Sequence, residues 1–388
     1  MAHPTAEQMS EILAQVRDFR DRSIAPNVVG WERDRVMALQ ALRDASQLGL
    51  LAMEVPAELG GLDLSFRQKL EVIDCLSEVS MPFAFSLVNT ANITSRVAKL
   101  GTDEHRASYL DDLMAGRRLG STALTEPTAG SDFGAIQMRA TRVDGGWRID
   151  GEKAWITNAA ASDVIIAYVQ SDPSLGSRGI ASVLIDGTRE GFERLAPYDL
   201  MGGHLIGAGG FRLNGYLASD EDLLAPPGEG FLIALSGING ARTYVASMCC
   251  AMVRAALRTA VRYGSERESF GRPVIEHQGL GWSLADVATR YEAARLLTDV
   301  AATTIDEDGD RAAVLPAAHA KKFATEMAEP AIAACVQAMG ANGLHEEHLL
   351  GHHLAAARIA NYVDGSTQIQ TDRIAKSLVR EYADLPAE

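Results

Sequence analysis

The order of sequence patterns predicts an α+β fold in three consecutive parts. Helical periodicity dominates the beginning of the chain, β-rich runs between turn residues dominate the middle, and helical periodicity then returns. Helices and strands segregated in this way are typical of α+β proteins, whereas an alternating order would indicate a doubly wound sheet. We therefore expect an N-terminal helical domain over residues 1–120, a central antiparallel β domain over 121–228, and a C-terminal helical domain over 229–388.

The first part carries the spacing of amphipathic helices. Met9, Ile12, Leu13 and Val16 recur at three- and four-residue intervals, which places their side chains on one helix face. RQKLEVIDCLSEVS and EHRASYLDDLMAG carry similar stripes. The segment VPAELGGLDLSF contains a proline and two adjacent glycines, so it predicts a loop between helices.

The middle part carries strand signals. WRIDGEKAWI consists of two alternating runs around Asp150-Gly151, a dipeptide that predicts a hairpin turn. VIIAYVQ and IASVLIDG are short β-rich runs bounded by turn residues, and LMGGHLIGAGGFRLNGY is rich in glycine. Together these features predict an antiparallel sheet.

The last part returns to helices. GFLIALSGINGARTYVASMCCAMVRAALRTAVRYGSERE predicts a long helix, and Leu284, Val287 and Tyr291 mark the stripe of the next one. HAKKFATEMAEPAIAACVQAM predicts another helix, which ends at Gly340. Near the C-terminus, ARIANYVDGSTQIQTDRIAKSL reads as two helices separated by a tight turn at residues 364–366.

The composition is that of a globular protein with an excess of acidic residues. The 388 residues are 47% hydrophobic and 22% charged, and the formal net charge is −15. This charge argues against a nucleic-acid or anionic-membrane partner and fits an enzyme. The chain has no run of about 18 apolar residues and no apolar signal core at its start, so we expect no membrane span and a cytoplasmic location.

The cysteines give no sign of a metal site. Cys75, Cys249, Cys250 and Cys335 follow no zinc-binding spacing, and the adjacent pair is unsuited to bonding with itself. Free, partly buried thiols are the simplest interpretation, and they are typical of a reducing compartment.

Two motifs around the start of the β part combine groups suited to a flat polar ligand. LTEPTAGSD, residues 124–132, forms a loop whose backbone N–H groups and Thr125 hydroxyl offer hydrogen-bond donors. In EKAWITNA, Trp155 and Thr157 are two residues apart, so a continuous strand would point both side chains to one face. A plain capped turn and a core tryptophan are the alternative interpretations.

Two further motifs follow in the last part. In RESFGRPVIEHQ, Arg267 and Arg272 suit a pyrophosphate, with Phe270 and Gln278 nearby, although an exposed basic turn explains the same residues. VQAMGANG ends a helix at Gly340, as an ordinary C-cap does.

The turn in DGSTQIQ places a carboxylate and a hydroxyl between two helices. In the simplest interpretation, either Asp364 or Ser366 is the N-cap of the last helix. Taken singly, the motifs therefore indicate a three-part protein without specifying a reaction.

Together, however, the motifs resemble one known family. LGLLAMEVPAELGGLDLS, LTEPTAGSD, GEKAWITNA, ERESFGRP, VQAMGANG and the DGSTQIQ turn are similar, in order and separation, to those of the acyl-CoA dehydrogenases, flavoproteins that desaturate acyl thioesters. The resemblance covers nearly the whole chain. It implies a barrel-like central domain, a C-terminal four-helix bundle and FAD bound between them.

The resemblance also implies roles for individual residues. Residues 122–131 would line the isoalloxazine ring, with the Thr125 hydroxyl near flavin N5. The implied FAD positions are Thr122, Leu124, Thr125, Gly130, Ser131, Trp155, Thr157, Arg267, Phe270, His277, Gln278, Gln337, Gly340, Ala341, Ser366 and Gln368. The implied thioester positions are Ser131, Asn239, Arg242 and Gly365. The adenine half would be held across a subunit interface, so the resemblance implies a homotetramer or homodimer.

The expected base is Asp364. In most of the family a glutamate precedes the glycine of this turn and acts as the base, and Asp364 stands there in this chain. The α-proton of a thioester is a poor acid, so a positioned base removes it while hydride leaves the β-carbon. The expected reaction is FAD-dependent α,β-dehydrogenation, with electrons passing to an electron-transfer flavoprotein or to oxygen. A flavin monooxygenase on the same fold and an inactive flavin-binding protein are the alternatives.

The chain departs from the family pattern at three places. The aspartate carboxylate is set back from the glutamate position by about 1.5 Å, one C–C bond, and Ala241 stands where some members carry their base. The segment MGGHLIGAGGFRLNG replaces one with arginine and hydroxyl residues, which indicates a mobile or close-packed loop and leaves a carrier-protein thioester as an alternative to CoA. Ala341 replaces a glycine.

Overall fold

The computed structural model describes residues 3–383, in which helices, a sheet and further helices follow one another. The helices before the sheet are α1 (Ala6–Phe19), α2 (Val28–Asp34), α3 (Leu39–Ser46), α4 (Phe66–Ser77), α5 (Met81–Leu100), α6 (Asp103–His105) and α7 (Asp111–Met114). Serines begin α4 and α5, which have more buried residues than the other helices before the sheet. Ser65 forms a capping box with Gln68 at the start of α4, and Ser80 accepts a hydrogen bond from Phe83 N at the start of α5.

The strands of the central sheet are β1 (Gly120–Ala123), β2 (Arg139–Val143), β3 (Gly146–Ile156), β4 (Val164–Gln170), β5 (Ile180–Asp186), β6 (Phe192–Arg194), β7 (Gly209–Ala218) and β8 (Leu223–Ala225). Their spatial order is β6–β7–β3–β2–β4–β5–β8, with β1 beside β4. Most neighbours are antiparallel, but β1 and β4 run parallel, as do β2 and β4 where they meet. The sheet is therefore mixed and not purely antiparallel. β2 and β3 lie between β1 and β4 in the sequence and form a hairpin. After this hairpin, β4 runs in the same direction as β1.

The hairpin predicted at Asp150-Gly151 is wrong. β3 runs through this dipeptide, and the turn that joins β2 to β3 lies at Asp144-Gly145, where Gly145 has a φ of 80°. Gly151 instead marks an irregularity in the pairing with β7, and a Cβ there would lie 2.8 Å from the Met138 Cα. The absence of a side chain at Gly151 therefore lets the backbone of Met138 come close to β3, which is a common reason for a glycine within a strand.

The elements after the sheet are α8 (Gly230–Leu235), α9 (Ile238–Glu266), the short strands β9 (Glu268–Ser269) and β10 (Arg272–Pro273), α10 (Gln278–Asp308), α11 (Val314–Ala338), α12 (Leu350–Ala360) and α13 (Thr367–Tyr382). The predicted long helix is interrupted at Ser236-Gly237, where Gly237 has a φ of 78°. The stretch Gly230–Glu266 is apolar and long enough to span a membrane by composition, but 72% of its most apolar window is buried within the fold.

One hydrophobic core connects the helices at the two ends of the chain. α9 packs against α10 and α11, and α4 packs against α9. Buried residues of α4, α5, α9 and α11 belong to a single apolar cluster, while a second cluster connects α5 to the sheet. The turn between α12 and α13 lies against α9 and α11, because α11 contacts both α12 and α13.

Candidate active site

Asp364 occupies a strained turn between α12 and α13. Its φ is 52° and that of Gly365 is 86°, so both residues adopt the left-handed region, which non-glycine residues rarely occupy. Ser366, and not Asp364, caps α13, because its hydroxyl accepts a hydrogen bond from Ile369 N. The Asp364 carboxylate is therefore not used for capping. Backbone strain at an acidic residue suggests a functional role.

Lys321 holds this turn from α11. Its buried ammonium donates hydrogen bonds to the main-chain oxygens of Val363 and Gly365, on either side of Asp364. Within residues 3–383, no donor forms a hydrogen bond to the buried Oδ2 atom of Asp364. The turn is thus fixed through its backbone while one carboxylate oxygen stays available.

Two residues of α9 complete the surroundings of the carboxylate. Arg242 Nε donates to the main-chain oxygen of Asp364 at 3.4 Å, and the Tyr244 hydroxyl lies beside the carboxyl group. Burial raises the pKa of Asp364 above its ordinary 3.8, although the charges of Lys321 and Arg242 and the Tyr244 hydroxyl oppose this shift. A carboxylate with a raised pKa is a stronger base, which is what removal of an α-proton requires.

Burial also changes the neighbouring cations. It lowers the pKa of Lys321 to about 8, against the attraction of Asp364, and the pKa of Arg242 to about 10, with help from Arg373. Both cations remain mainly protonated at neutral pH, so they continue to attract the Asp364 carboxylate.

Asn239 and Arg242 form one buried network with Asp310. Arg242 Nη1 donates to Asn239 Oδ1 at 2.8 Å, and Asn239 Nδ2 donates to the main-chain oxygen of Asp310 at 2.8 Å and to its Oδ2 at 3.1 Å. The structure therefore brings three of the four predicted thioester positions, Asn239, Arg242 and Gly365, to the Asp364 turn. The fourth, Ser131, lies exposed in the LTEPTAGSD loop.

This loop is fixed to β3 by a buried ion pair that our sequence analysis missed. Lys153 Nζ donates to Glu126 Oε1 at 2.8 Å and to the main-chain oxygen of Leu124 at 2.9 Å. Glu126 also accepts hydrogen bonds from the main-chain N–H groups of Gln137 and Met138. The signal was present in the sequence, because one charged residue of the pair lies in each of the two motifs.

The same loop meets β3 next to Trp155. Ala154 N donates to the main-chain oxygen of Thr125 at 3.0 Å, which brings Thr125 and Trp155 close together. In the loop and the preceding strand β1, the predicted flavin positions Thr122, Leu124 and Thr125 are half-buried, and Gly130 and Ser131 are exposed.

The prediction that Trp155 and Thr157 share one strand face is wrong. Trp155 has a φ of 59°, the pairing of β3 with β7 is irregular between Lys153 and Ile156, and the strand ends before Thr157. Strand alternation therefore no longer relates the two side chains. The Trp155 ring is 61% exposed and lies 4.3 Å, centroid to centroid, from the ring of Tyr198.

Asn158 is a second residue that our sequence analysis missed. It is buried with a φ of 65°, and its side chain accepts a hydrogen bond from Ser86 Oγ at 2.6 Å. Its Nδ2 donates to Thr90 Oγ1 and to the main-chain oxygens of Ser86 and Gly120. Asn158 thus ties α5, β1 and the end of β3 together behind the loop.

The predicted adenine-side residues are mostly exposed, and those next to the β9–β10 turn contact one another. His277 Nε2 lies 3.1 Å from the main-chain oxygen of Ser269, and the rings of His277 and Phe270 are 6.0 Å apart. Phe270 is 95% exposed with a φ of 52°. Arg267, Gln278, Gln337, Gly340, Ala341 and Gln368 are also exposed, and Gly340 has the left-handed φ expected of a helix C-cap.

Within residues 3–383, no hydrogen bond joins this group to the LTEPTAGSD loop or to Trp155. The chemistry of each group nevertheless fits half of an FAD molecule. Exposed indole and threonine hydroxyls suit a flat heteroaromatic ring, while Arg267 and His277 suit a pyrophosphate.

A helix–sheet–helix fold with a carboxylate in a strained turn fits an oxidoreductase that pairs a protein base with a flat cofactor, and comparison with known proteins specifies the family. The family models for the acyl-CoA dehydrogenase N-terminal, middle and C-terminal domains match residues 6–117, 121–215 and 228–379. An acyl-CoA dehydrogenase of Bacillus subtilis is 30% identical over 97% of this chain and 99% of its own length. The rat mitochondrial short/branched chain specific acyl-CoA dehydrogenase is 31% identical over 95% and 84%.

A solved structure agrees with these sequence matches. The butyryl-CoA dehydrogenase of Megasphaera elsdenii is similar over 98% of this chain and 100% of its own, with a TM-score of 0.91 and 27% identity. The chain therefore belongs to the acyl-CoA dehydrogenase family. It is an FAD-dependent oxidoreductase that acts on the CH–CH group of acyl thioesters, which confirms the fold class, the cofactor and the enzyme class predicted from the sequence.

Proposed function

We propose that this chain dehydrogenates an acyl-CoA between its α and β carbons, with Asp364 as the base. The observation that carries the proposal is the buried Oδ2 of Asp364, which has no hydrogen-bond donor within residues 3–383 and sits in a left-handed turn. The position also corresponds to that of the base in most of the family. The raised pKa of Asp364 supports the same role.

The residues around the turn account for the proton transfer. Bound FAD supplies the acceptor for the hydride that leaves the β-carbon. Asp364 takes the α-proton onto its carboxylate, and Lys321 keeps the turn in position through the oxygens of Val363 and Gly365. The Gly365 N–H makes no hydrogen bond within residues 3–383, so it is available to the thioester carbonyl, where negative charge develops.

The residues that would hold FAD form two groups. Thr125, Trp155 and their neighbours would hold the ring, and Arg267, Phe270 and His277 would hold the pyrophosphate and adenine of an FAD in a second copy of the chain. Phe270 supports this arrangement, because an aromatic side chain that is 95% exposed in one chain gains burial in an assembly. We therefore propose a homodimer or homotetramer.

CoA, and not a carrier protein, is the thioester carrier that we propose. The glycine-rich segment that suggested a carrier protein is close-packed, because Gly203 N and His204 N donate to Glu32 Oε2. A Cβ at Gly203 would lie 2.4 Å from Ile359 Cδ1, so the glycine is explained by packing. An unusual carrier is not needed to account for this departure from the family pattern.

The test is anaerobic mixing of the FAD-loaded protein with acyl-CoA thioesters. We expect the oxidised flavin absorbance to bleach without NAD(P)H in the wild type. Asp364→Asn should keep FAD and lose at least about 100-fold in the bleaching rate, because proton transfer to a positioned base contributes on the order of 10²–10⁴. Its melting temperature at pH 7 should not fall, since burial disfavours the charged form that asparagine removes.

Other outcomes identify the alternatives. An Asp364→Asn protein that bleaches at the wild-type rate would exclude Asp364 as the base. Flavin reduction only by an external reductant, followed by an oxygen-dependent product, would indicate a monooxygenase. A flavin that no thioester bleaches, and that gives no oxygen-dependent product after reduction by an external reductant, would indicate a binding protein without activity.

A further inference from the structure

The connection from α10 to α11 places carboxylates at the starts of two other helices. Residues 306–310, DEDGD, comprise the end of α10 and the two residues after it, and we call them the acidic segment. Asp306 accepts hydrogen bonds from Ser65 Oγ at 3.0 Å and from Phe66 N at 2.8 Å, at the start of α4. The dipole of α10 disfavours a carboxylate in its last turn, so the contact with α4 explains Asp306 better than its own helix does.

Asp310 provides the cap that α9 lacks. The residue before α9 is Gly237, with a φ of 78°, and it has no side chain that could accept a hydrogen bond from the first turn. Asp310 Oδ1 accepts such a bond from Gly240 N at 2.8 Å. N-cap side chains bond the second or third N–H of a helix, and Gly240 is the third residue of α9. A carboxylate from the acidic segment therefore fixes the turn that carries Asn239 and Arg242.

Asn239 has no free side-chain donor for a ligand. The residue is 3% exposed, and its Nδ2 donates to both the main-chain oxygen and the Oδ2 atom of Asp310, which uses both amide hydrogens. Its Oδ1 accepts a hydrogen bond from Arg242 Nη1 at 2.8 Å. The family resemblance implied a thioester contact at Asn239, whereas these contacts indicate a link between Asp310 and Arg242.

Arg242 depends on this link for its orientation. It is buried, and within residues 3–383 no carboxylate forms an ion pair with it. Its hydrogen bonds there go to two neutral oxygens, the main-chain oxygen of Asp364 and Asn239 Oδ1. Because a guanidinium is planar, two fixed nitrogens set the direction of the third. Arg242 Nη2 lies 3.6 Å from the position that a Cβ would take at Gly365, so the positive charge lies beside the N–H group that we assign to the thioester carbonyl.

We propose that Asp310 is a positioning residue for the reaction, because through Asn239 it holds Arg242 against the Asp364 turn. The inference rests on the proposed function, in which Asp364 is the base and Gly365 N–H meets the thioester carbonyl. Negative charge develops on the carbonyl oxygen only as the α-proton leaves, so a correctly placed cation lowers the barrier more than it tightens binding. Loss of the Asp310 side chain should therefore lower the limiting rate more than the affinity for the thioester.

The experiment measures anaerobic flavin bleaching by the FAD-loaded protein over a range of concentrations of the acyl-CoA that bleaches the wild type fastest. Asp310→Ala and Asn239→Ala should each lower the limiting rate about tenfold or more, because small displacements at a reacting centre are costly. The half-saturating concentration should change less than about threefold. If Asn239→Ala instead raises that concentration and leaves the limiting rate unchanged, Asn239 binds the thioester directly and the proposed link is wrong.

A double variant tests whether Asp310 acts through Asn239. In the Asn239→Ala background, Asp310→Ala should lower the limiting rate no further, because the link is already broken. Its effect on the melting temperature should persist, because Gly240 N still loses its acceptor. Two rate losses that multiply would show that Asp310 acts independently of Asn239 and would overturn the proposal.

Asp306→Ala is the matched control from the same acidic segment. Asp306 also bonds the start of a helix, but within residues 3–383 it makes no hydrogen bond to Asn239 or Arg242. The variant should lower the melting temperature and change the limiting rate less than about threefold. Equal rate losses in Asp306→Ala and Asp310→Ala would show a general effect of helix capping and would overturn the positioning role.

Asp310→Asn keeps the test decisive if Asp310→Ala fails to fold. Asparagine keeps the size of the side chain and one oxygen for Gly240 N, but it presents an amide donor to Asn239 Nδ2. We expect its limiting rate to fall about threefold or more with an unchanged FAD content. A wild-type limiting rate in both Asp310→Asn and Asn239→Ala would overturn this inference and leave the proposed function standing. A wild-type flavin that no acyl-CoA bleaches would overturn both.

Discussion

The ammonium group of Lys321 holds the main chain on both sides of Asp364. It donates to the oxygen of Val363, which precedes the aspartate, and to the oxygen of Gly365, which follows it. The same charge attracts the Asp364 carboxylate and lowers its pKa, against the larger effect of burial. One buried cation thus holds the base in position and lowers its proton affinity, and these two effects can be measured separately.

The first prediction concerns the pH dependence of the wild-type reaction. Asp364 accepts a proton only as a carboxylate, and burial raises its pKa above 3.8. The rate of anaerobic flavin bleaching should therefore rise with pH through an apparent pKa above 3.8 and level off once the carboxylate is formed. A profile that is flat down to pH 4, in protein that remains folded by circular dichroism, would contradict the assignment.

The second prediction removes the charge of Lys321. Lys321→Met leaves Asp364 with less positive charge nearby, so its pKa should rise and the acid limb of the profile should move to higher pH. The plateau rate should also fall, because the oxygens of residues 363 and 365 lose their shared donor.

Lys322→Met is the control, because Lys322 pairs with Glu326 on the same helix, and this variant should leave the pH profile unchanged. An unchanged acid limb in Lys321→Met would mean that the charge of Lys321 does not tune the base.

The third prediction concerns the ion pair that fixes the LTEPTAGSD loop. Lys153 and Glu126 are both buried, and burial already lowers the pKa of Lys153 to about 8 despite its partner. Glu126→Ala leaves this cation buried and unpaired, so we expect a loss of about 3–5 kcal/mol in the free energy of unfolding and a lower FAD content. Urea denaturation of the two single variants, Glu126→Ala and Lys153→Met, and of the double variant measures the effect.

The double variant is the matched control for the ion pair. Removal of both charges should restore part of the stability that Glu126→Ala loses, because no unpaired charge remains in the interior. If the double variant is less stable than Glu126→Ala by the full effect of Lys153→Met, the two charges act independently and the loop is held in another way.

The sequence predicted the order of helices and sheet because local periodicity decides it. α1 is buried on one side, and its sequence shows this as the stripe at Met9, Ile12 and Val16. β4 is buried along its whole length, and its sequence shows this as the β-rich run VIIAYVQ. Local periodicity did not predict the backbone conformation and the exposure of Trp155. Its positive φ coincides with an irregularity in the pairing of β3 with β7, a strand that comes more than 50 residues later in the sequence and cannot be read from alternation in EKAWITNA.

The candidate site shows the same limit. The DGSTQIQ motif identified Asp364, but it did not separate a cap from a base, because that distinction depends on which side chain bonds Ile369 N. Lys321 and Tyr244 belong to helices whose sequence patterns mark them only as core positions. The proximity of Asp364, Lys321 and Tyr244 follows from the packing of α9 and α11 against the turn, so no local pattern announced it.

The fourth prediction concerns Arg267. Within residues 3–383 its exposed side chain has no carboxylate partner, as suits a cation that meets a pyrophosphate. Arg267→Ala should weaken FAD binding about tenfold or more, since a hydrogen bond to a charged group contributes about 1.5–3 kcal/mol. Arg262→Ala, another exposed arginine of the same region, is the control. Equal FAD contents in the two purified variants would argue against contact between Arg267 and the cofactor.

The fifth prediction uses the exposure of Phe270. Because 95% of this residue is exposed in a single chain and its φ is 52°, its side chain contributes little to the stability of one subunit. Phe270→Ala should therefore change the free energy of unfolding of the FAD-free chain by less than about 0.5 kcal/mol. It should lower both the FAD content and the mass measured by light scattering, if a second copy of the chain covers the ring together with the cofactor. Leu217→Ala truncates another exposed apolar side chain, on β7, and is the control. It should change neither the FAD content nor the mass. A Phe270→Ala protein with full FAD content and unchanged mass would mean that the site is complete within one chain.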